Sequence, residues 1–131
     1  MGQPRPGVAV RRVLLLEDDP GMTALVEEAL GGAGFSITVL RDALQLEAAL
    51  AAVDHHLVIS DLQMPGRSGL EVLRYLRREK PELARRFILM TGSPADADRA
   101  AAELVSIPVL HKPFSLVRLL ELVRKMIQKP N

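Results

Sequence analysis

The chain has 131 residues, 48% of them apolar and 25% charged, a balance that lets one domain bury a core of its own. Seventeen basic against sixteen acidic residues leave a net charge of +1, and only four aromatic side chains are present. Neither a basic field nor a stacking platform for nucleic acid is therefore expected. With no cysteine, a disulfide scaffold, a thiolate metal site and a cysteine nucleophile are excluded. No apolar run approaches a membrane span, and Met1 to Gly7 lacks a signal peptide's hydrophobic region. The expectation is a cytoplasmic protein with no membrane contact.

Residues 1–10, rich in Pro, Gly and Arg, are expected to form a flexible N-terminal arm, leaving 11–131 as the domain. Val13-Leu14-Leu15-Leu16 is too short for a helix and predicts a strand ending in Glu17-Asp18-Asp19. Asp19 suits an N-cap and Pro20 the first helical position. Met22, Leu25, Val26, Ala29 and Leu30 then recur at helical spacing until Gly31-Gly32 and Gly34 stop the helix. Phe35 to Leu40 predicts a second strand, and Asp42 caps a helix with Leu46, Ala49, Leu50 and Val53 on one face.

Leu57 to Ser60 predicts a third strand, delivering Asp61 to its C-terminal end before Pro65-Gly66 break the chain. Ser68 and Glu71 form a capping box for a helix to about Glu79. Phe87-Ile88-Leu89-Met90 is the fourth strand, ending at Thr91-Gly92, and Pro94 to about Leu104 is Ala-rich and helical. Pro108 to His111 makes a short fifth strand, and Ser115 caps a last helix to about Gln128.

Five strands alternating with five helices predict an α/β fold, a doubly wound parallel sheet with right-handed crossovers. Ligands of such sheets sit outside the carboxyl ends of the strands. Those ends carry Glu17-Asp18, Asp61, Thr91 and Lys112. Three converging carboxylates raise one another's pKa unless a positive charge neutralises them. A hard divalent cation does so, Mg²⁺ taking carboxylates, carbonyl oxygens and waters. An acid nucleophile, a metal, an ammonium and a hydroxyl are the requirements for phosphoryl transfer to a carboxylate.

In their order and spacing, Leu16-Glu17-Asp18-Asp19, Ser60 to Gly66, Gly69-Leu70, Met90-Thr91-Gly92 and Lys112-Pro113-Phe114 resemble the receiver domains of two-component response regulators. The resemblance covers roughly Arg12 to Ile127. It implies the flavodoxin-like (βα)5 fold with strand order 2-1-3-4-5. It also implies Asp61 as phosphoacceptor, Asp18 as direct ligand of Mg²⁺ (or Mn²⁺), Glu17 as its partner through water, and Gln63 as donor of a backbone carbonyl to the metal. Thr91 would turn its hydroxyl to the phosphoryl group, Gly92 would leave room for it, and Lys112 would pair with a phosphoryl oxygen beside a cis Lys112-Pro113 bond. Gln63 and Ser93 would tune the access of water. The implied partners are a sensor histidine kinase or His-phosphotransfer protein and a downstream protein target, with no direct nucleic acid. The implied role is that of a signalling receiver and not of an enzyme on external substrates.

One position departs from the pattern. Val109 stands where relatives often carry an aromatic residue, so an aromatic swing cannot report phosphorylation here. That departure keeps open a phosphorylation-independent binding module. The Pro108 to Phe114 segment is similar to receivers attached to hybrid sensor kinases, so an excised receiver is a further alternative. A metal-dependent phosphatase is the weakest, since no second acid lies two residues after Asp61. Only about three residues follow the last helix, too few for a DNA-binding domain.

Other residues read as structural. His55 and His56 are expected in a solvated loop at the opposite sheet end, and His111 in packing or at the surface. Met22, Met64, Met90 and Met126 are gap-fillers. Arg77-Arg78 and Arg85-Arg86 belong on solvated faces. In the last helix Leu116, Leu119, Leu120, Val123 and Ile127 form the stripe toward the sheet, while Leu122 and Met126 fall to the side, at the rim or in a partner or homodimer contact.

Overall fold

The computed structural model describes residues 10–128; the arm expected over 1–10 lies, apart from Val10, outside the described residues. Strands β1 (Arg11–Leu16), β2 (Phe35–Leu40), β3 (Leu57–Asp61), β4 (Phe87–Thr91) and β5 (Val109–His111) form one sheet ordered β2-β1-β3-β4-β5. Every pairing is parallel, so each connection must cross a face of the sheet.

The helices in these connections are α1 (Pro20–Gly31), α2 (Leu46–Ala52), α3 (Gly69–Glu79), α4 (Pro81–Ala84) and α5 (Pro94–Arg99), and α6 (Leu116–Gln128) follows β5. Strand alternation divides the core into two halves. Leu14, Leu16, Val58, Phe87 and Leu89 pack with α2, α3 and α4 on one face. Val13, Leu15, Leu57, Ile59, Ile88, Met90 and Leu110 pack on the other with Val26 and Leu30 of α1 and Leu119, Leu122 and Val123 of α6. The central strands are covered on both sides, which is why they read as unbroken apolar runs.

The capping signals take the expected forms. Asp19 accepts from the Gly21 amide at 2.9 Å with Pro20 opening α1. Ser68 and Glu71 close a reciprocal box at the start of α3. Ser115 Oγ accepts from the Arg118 amide at 2.9 Å. Three elements differ from expectation. Asp42 opens a 3-10 turn, Ala43–Gln45, and α2 follows it, ending before Val53, which is exposed. The extra helix α4 arises because Pro81 cannot extend α3 but can begin a new turn, burying Leu83 and Ala84.

The helix expected to run to about Leu104 stops at Arg99. Beyond it the bonds tighten to three-residue spacing, Ala101 N–H to the Asp98 carbonyl and Glu103 N–H to the Ala100 carbonyl. The tighter path seats Ala100 and Leu104 in the core, and Ser106 at φ 72° turns the chain into β5.

Four side chains depart from the solvated or lateral placement read from sequence. His55 is buried, with Nε2 3.5 Å from Thr38 Oγ1. The adjacent His56 is clamped to β1, its Nδ1 accepting from the Arg12 amide at 2.9 Å while its own amide donates to the Arg12 carbonyl at 2.7 Å. Arg86 is half-buried because its Nε donates to the His56 carbonyl at 2.6 Å. Leu122 is core, not rim: it faces the sheet with Leu119 and Val123, while Val117 is exposed. No described helix is long and apolar enough to cross a membrane.

Candidate functional site

β1 and β3 are neighbours with Leu16 opposite Ser60, so Glu17 and Asp61 emerge side by side at the carboxyl edge. Glu17 is fully buried, Asp61 nearly so, and Asp18 is exposed. One oxygen from each of the three carboxylates lies within 4.8 Å of the other two.

β4 and β5 bring the remaining groups. The Leu62 amide donates to the Met90 carbonyl at 2.8 Å, and the Lys112 amide to the Thr91 carbonyl at 2.7 Å. The loops after β3 and β5 are thus both pinned to the end of β4. Lys112 Nζ then donates to Glu17 Oε1 and to Asp61 Oδ2, each at 2.8 Å. The Lys112-Pro113 bond is cis, as the resemblance implied.

The electrostatics follow from burial. Loss of water raises the Glu17 pKa above the usual carboxylate value, Asp61 adds to that, and the Lys112 and Asp19 hydrogen bonds pull it back. For Lys112 burial works against the charge, but hydrogen bonds from Nζ to Asp61 and Glu17 outweigh it and leave the pKa raised. The ammonium therefore stays charged. Among the described residues one cation, Lys112, faces three carboxylates, so the pocket carries an excess of hard, anionic oxygen donors of the kind a divalent cation takes.

Close backbone packing holds the edge that carries Asp61. A Cβ on Gly69 would lie 2.6 Å from the Asp61 carbonyl oxygen; only glycine lets α3 begin against β3. Above the site, a Cβ on Gly92 would meet nothing within 4 Å.

Not every expected residue converges. Thr91 is buried, but its hydroxyl is turned to its own loop, accepting from the Ser93 amide at 3.0 Å and donating to the Ser93 carbonyl at 3.3 Å. Gln63 donates its backbone N–H to Asp61 Oδ1 at 3.3 Å, while its side-chain amide donates to Asp96. Asp96 also accepts from Arg99, and its amide donates to Ser93 Oγ at 3.2 Å. This residue was missed from sequence. The Ser93-x-x-Asp96 spacing is a capping signal that could have placed it at the start of α5.

The profile of the response regulator receiver domain family matches residues 13–124. The chain is 34% identical over 125 residues to the C4-dicarboxylate transport transcriptional regulatory protein DctD of Pseudomonas aeruginosa, covering 94% of this chain and 26% of that protein. It is 33% identical over 116 residues to the DNA-binding transcriptional regulator NtrC of Salmonella typhimurium, covering 88% and 24%. The chain thus spans about a quarter of the length of these relatives. Among solved structures, the signal receiver domain of an HD domain-containing protein from Pseudomonas fluorescens superposes with a TM-score of 0.80 at 25% identity over 93% of each chain. The response regulator TrrA of Thermotoga maritima, in complex with Mg(2+)-BeF, superposes with a TM-score of 0.76 at 28% identity, over 89% of this chain and 99% of that one. A profile match that spans the sheet, joined to acids and a lysine at the ends of strands in the order β2-β1-β3-β4-β5, makes this chain a member of the receiver domains of two-component response regulators.

Proposed function

We infer that the chain is a phosphoacceptor: a partner's phosphohistidine transfers its phosphoryl group to Asp61. The P–N bond of the donor breaks, its electron pair returns to the imidazole, and a P–O bond forms to the Asp61 carboxylate. The observation that carries this reading is Lys112 Nζ held 2.8 Å from both Glu17 and Asp61 at a three-carboxylate edge. Glu17 and Asp18 would hold Mg²⁺ (or Mn²⁺) with Asp61 and the Gln63 backbone carbonyl. When bound, the metal neutralises charge on the phosphoryl oxygens.

This chain's own residues do the rest. Lys112, already between Glu17 and Asp61, is placed to follow an oxygen of the incoming group. Thr91 has a hydroxyl whose 3.3 Å donation to Ser93 is long enough to be given up cheaply. The open space over Gly92 gives the group room. Hydrolysis restores the carboxylate when water attacks phosphorus and inorganic phosphate leaves, so the chain turns over only its own modification. The proposed partners are a sensor histidine kinase or His-phosphotransfer protein upstream and a protein target downstream.

Incubation with radiolabelled acetyl phosphate and Mg²⁺ tests the reading. The wild type should take up label and Asp61→Asn should take up none; persistent labelling of that variant would remove Asp61 from the role. A second reading, a binding module that works without phosphate, is favoured by Val109, which packs half-buried on the α3 side of the sheet. Partner binding of equal strength for wild type and Asp61→Asn, with or without acetyl phosphate, would select it.

A further inference from the structure

Two chains of hydrogen bonds leave the carboxyl edge and meet at one residue. The first runs from Asp61 Oδ1 to the Gln63 amide and, through the Gln63 side chain, to the carboxylate of Asp96. The second runs from the Thr91 hydroxyl to the Ser93 backbone and, through Ser93 Oγ, to the amide of the same Asp96. Asp96 lies in the first turn of α5 and is further anchored by Arg99 on that helix. We propose that Asp96 is a positioning residue that couples the state of Asp61 and Thr91 to the placement of α5.

The physical case is one of competing partners. A new group on Asp61 changes what Oδ1 can accept, so the Gln63 amide must follow it or let go. A new acceptor in the pocket likewise competes with the Ser93 carbonyl for the Thr91 hydroxyl. Either change reaches Asp96, because each arm has only one residue between the site and it. The arms also meet different atoms, a carboxylate and a backbone amide, so α5 responds as a unit and not as one swinging side chain. A polar linkage of this kind suits a chain with valine at position 109. The coupling itself is a difference in how well each state satisfies these bonds.

The proposal rests on Asp61 being the phosphoacceptor, and its test separates the two ideas. Backbone amide NMR of the whole chain is followed as Mg²⁺ and then beryllofluoride are added to wild type, Asp96→Ala and Asp96→Asn. In the wild type, shifts are expected at Asp61, Gln63 and Thr91 and across residues 95–99. In Asp96→Ala the pocket shifts should persist while those of 95 and 97–99 fall by at least half. Asp96→Asn, which still accepts from the Gln63 amide, should restore most of them. Gln63→Ala cuts, from outside α5, the same carboxylate arm that Asp96→Ala removes, while the Asp96 amide keeps its bond to Ser93 in both variants, so it should give a comparable loss. Undiminished α5 shifts in Asp96→Ala overturn the coupling and leave the phosphoacceptor reading standing. Absence of any pocket shift in the wild type overturns both.

Discussion

Lys112 is the residue on which the site's charge balance turns. Its ammonium is shared between a fully buried glutamate and the nearly buried Asp61. Lys112→Met keeps the stem but leaves those carboxylates without their cation. We expect a loss of about 1–3 kcal/mol at neutral pH in urea denaturation, the cost of an uncompensated buried charge that can partly be relieved by protonation. Added Mg²⁺ should recover part of that loss, and an unchanged midpoint would show that solvent already screens the pair. Gly69→Ala tests the packing beneath the same edge. Its Cβ would stand 2.6 Å from the Asp61 carbonyl and 2.9 Å from Leu62 Cα, so about 1–3 kcal/mol of destabilisation is expected. Weaker Mg²⁺ binding should accompany it, because the backbone that must yield is that of Asp61.

Among the elements, α6 shows how burial corrects a reading made from periodicity. Leu122, assigned to the helix flank from sequence, is 8% exposed and packs with Leu119 and Val123, whereas Val117 is 69% exposed. Leu122→Ala should therefore cost about 2–5 kcal/mol, and Val117→Ser should stay within about 0.5 kcal/mol of wild type. Equal effects in thermal or urea unfolding would mean that the helix is rotated from this placement. The short α5 is the opposite case. Its alanines favour helix, but the helix ends at Arg99 because Ala100 and Leu104 must reach the core and Ser106 must turn into β5. Tertiary packing overrides propensity there.

At the scale of the whole molecule, the two ends of the sheet do different work. The carboxyl end gathers the acids and Lys112; the amino end is tied together by His55 and His56. Burial lowers the pKa of both imidazoles below the usual 6.5, helped for His55 by Arg12 and for His56 by Arg11, Arg86 and Arg12. A histidine with a depressed folded pKa binds its proton more readily when unfolded. Its stabilising contribution is therefore complete above about pH 6.5 and declines as pH falls from there toward the folded value. Urea midpoints should drop between pH 7.5 and 5.5, and the drop should be smaller in His55→Gln whatever that variant's absolute stability. An identical pH slope in both proteins would mean that His55 titrates as if exposed.

Much of this fold was legible because its signals are local. Apolar runs of strand length, Asp19-Pro20, the Ser68 and Glu71 box and the glycines after α1 each act within one turn of chain, and each is found in the expected place. The identity of Glu17, Asp18, Asp61 and Lys112 as a set was equally legible, since a parallel sheet delivers every strand end to one edge. What sequence could not decide depends on contacts between distant segments. Lys112 meets partners 95 and 51 residues away, Gln63 and Asp96 join across 33, and His55, in the loop before β3, is buried against Thr38 of β2. The choice of side chain that fills each shared space is made by the packed sheet and its loops, because burial and hydrogen-bond partners are properties of the assembled layers and not of any one stretch.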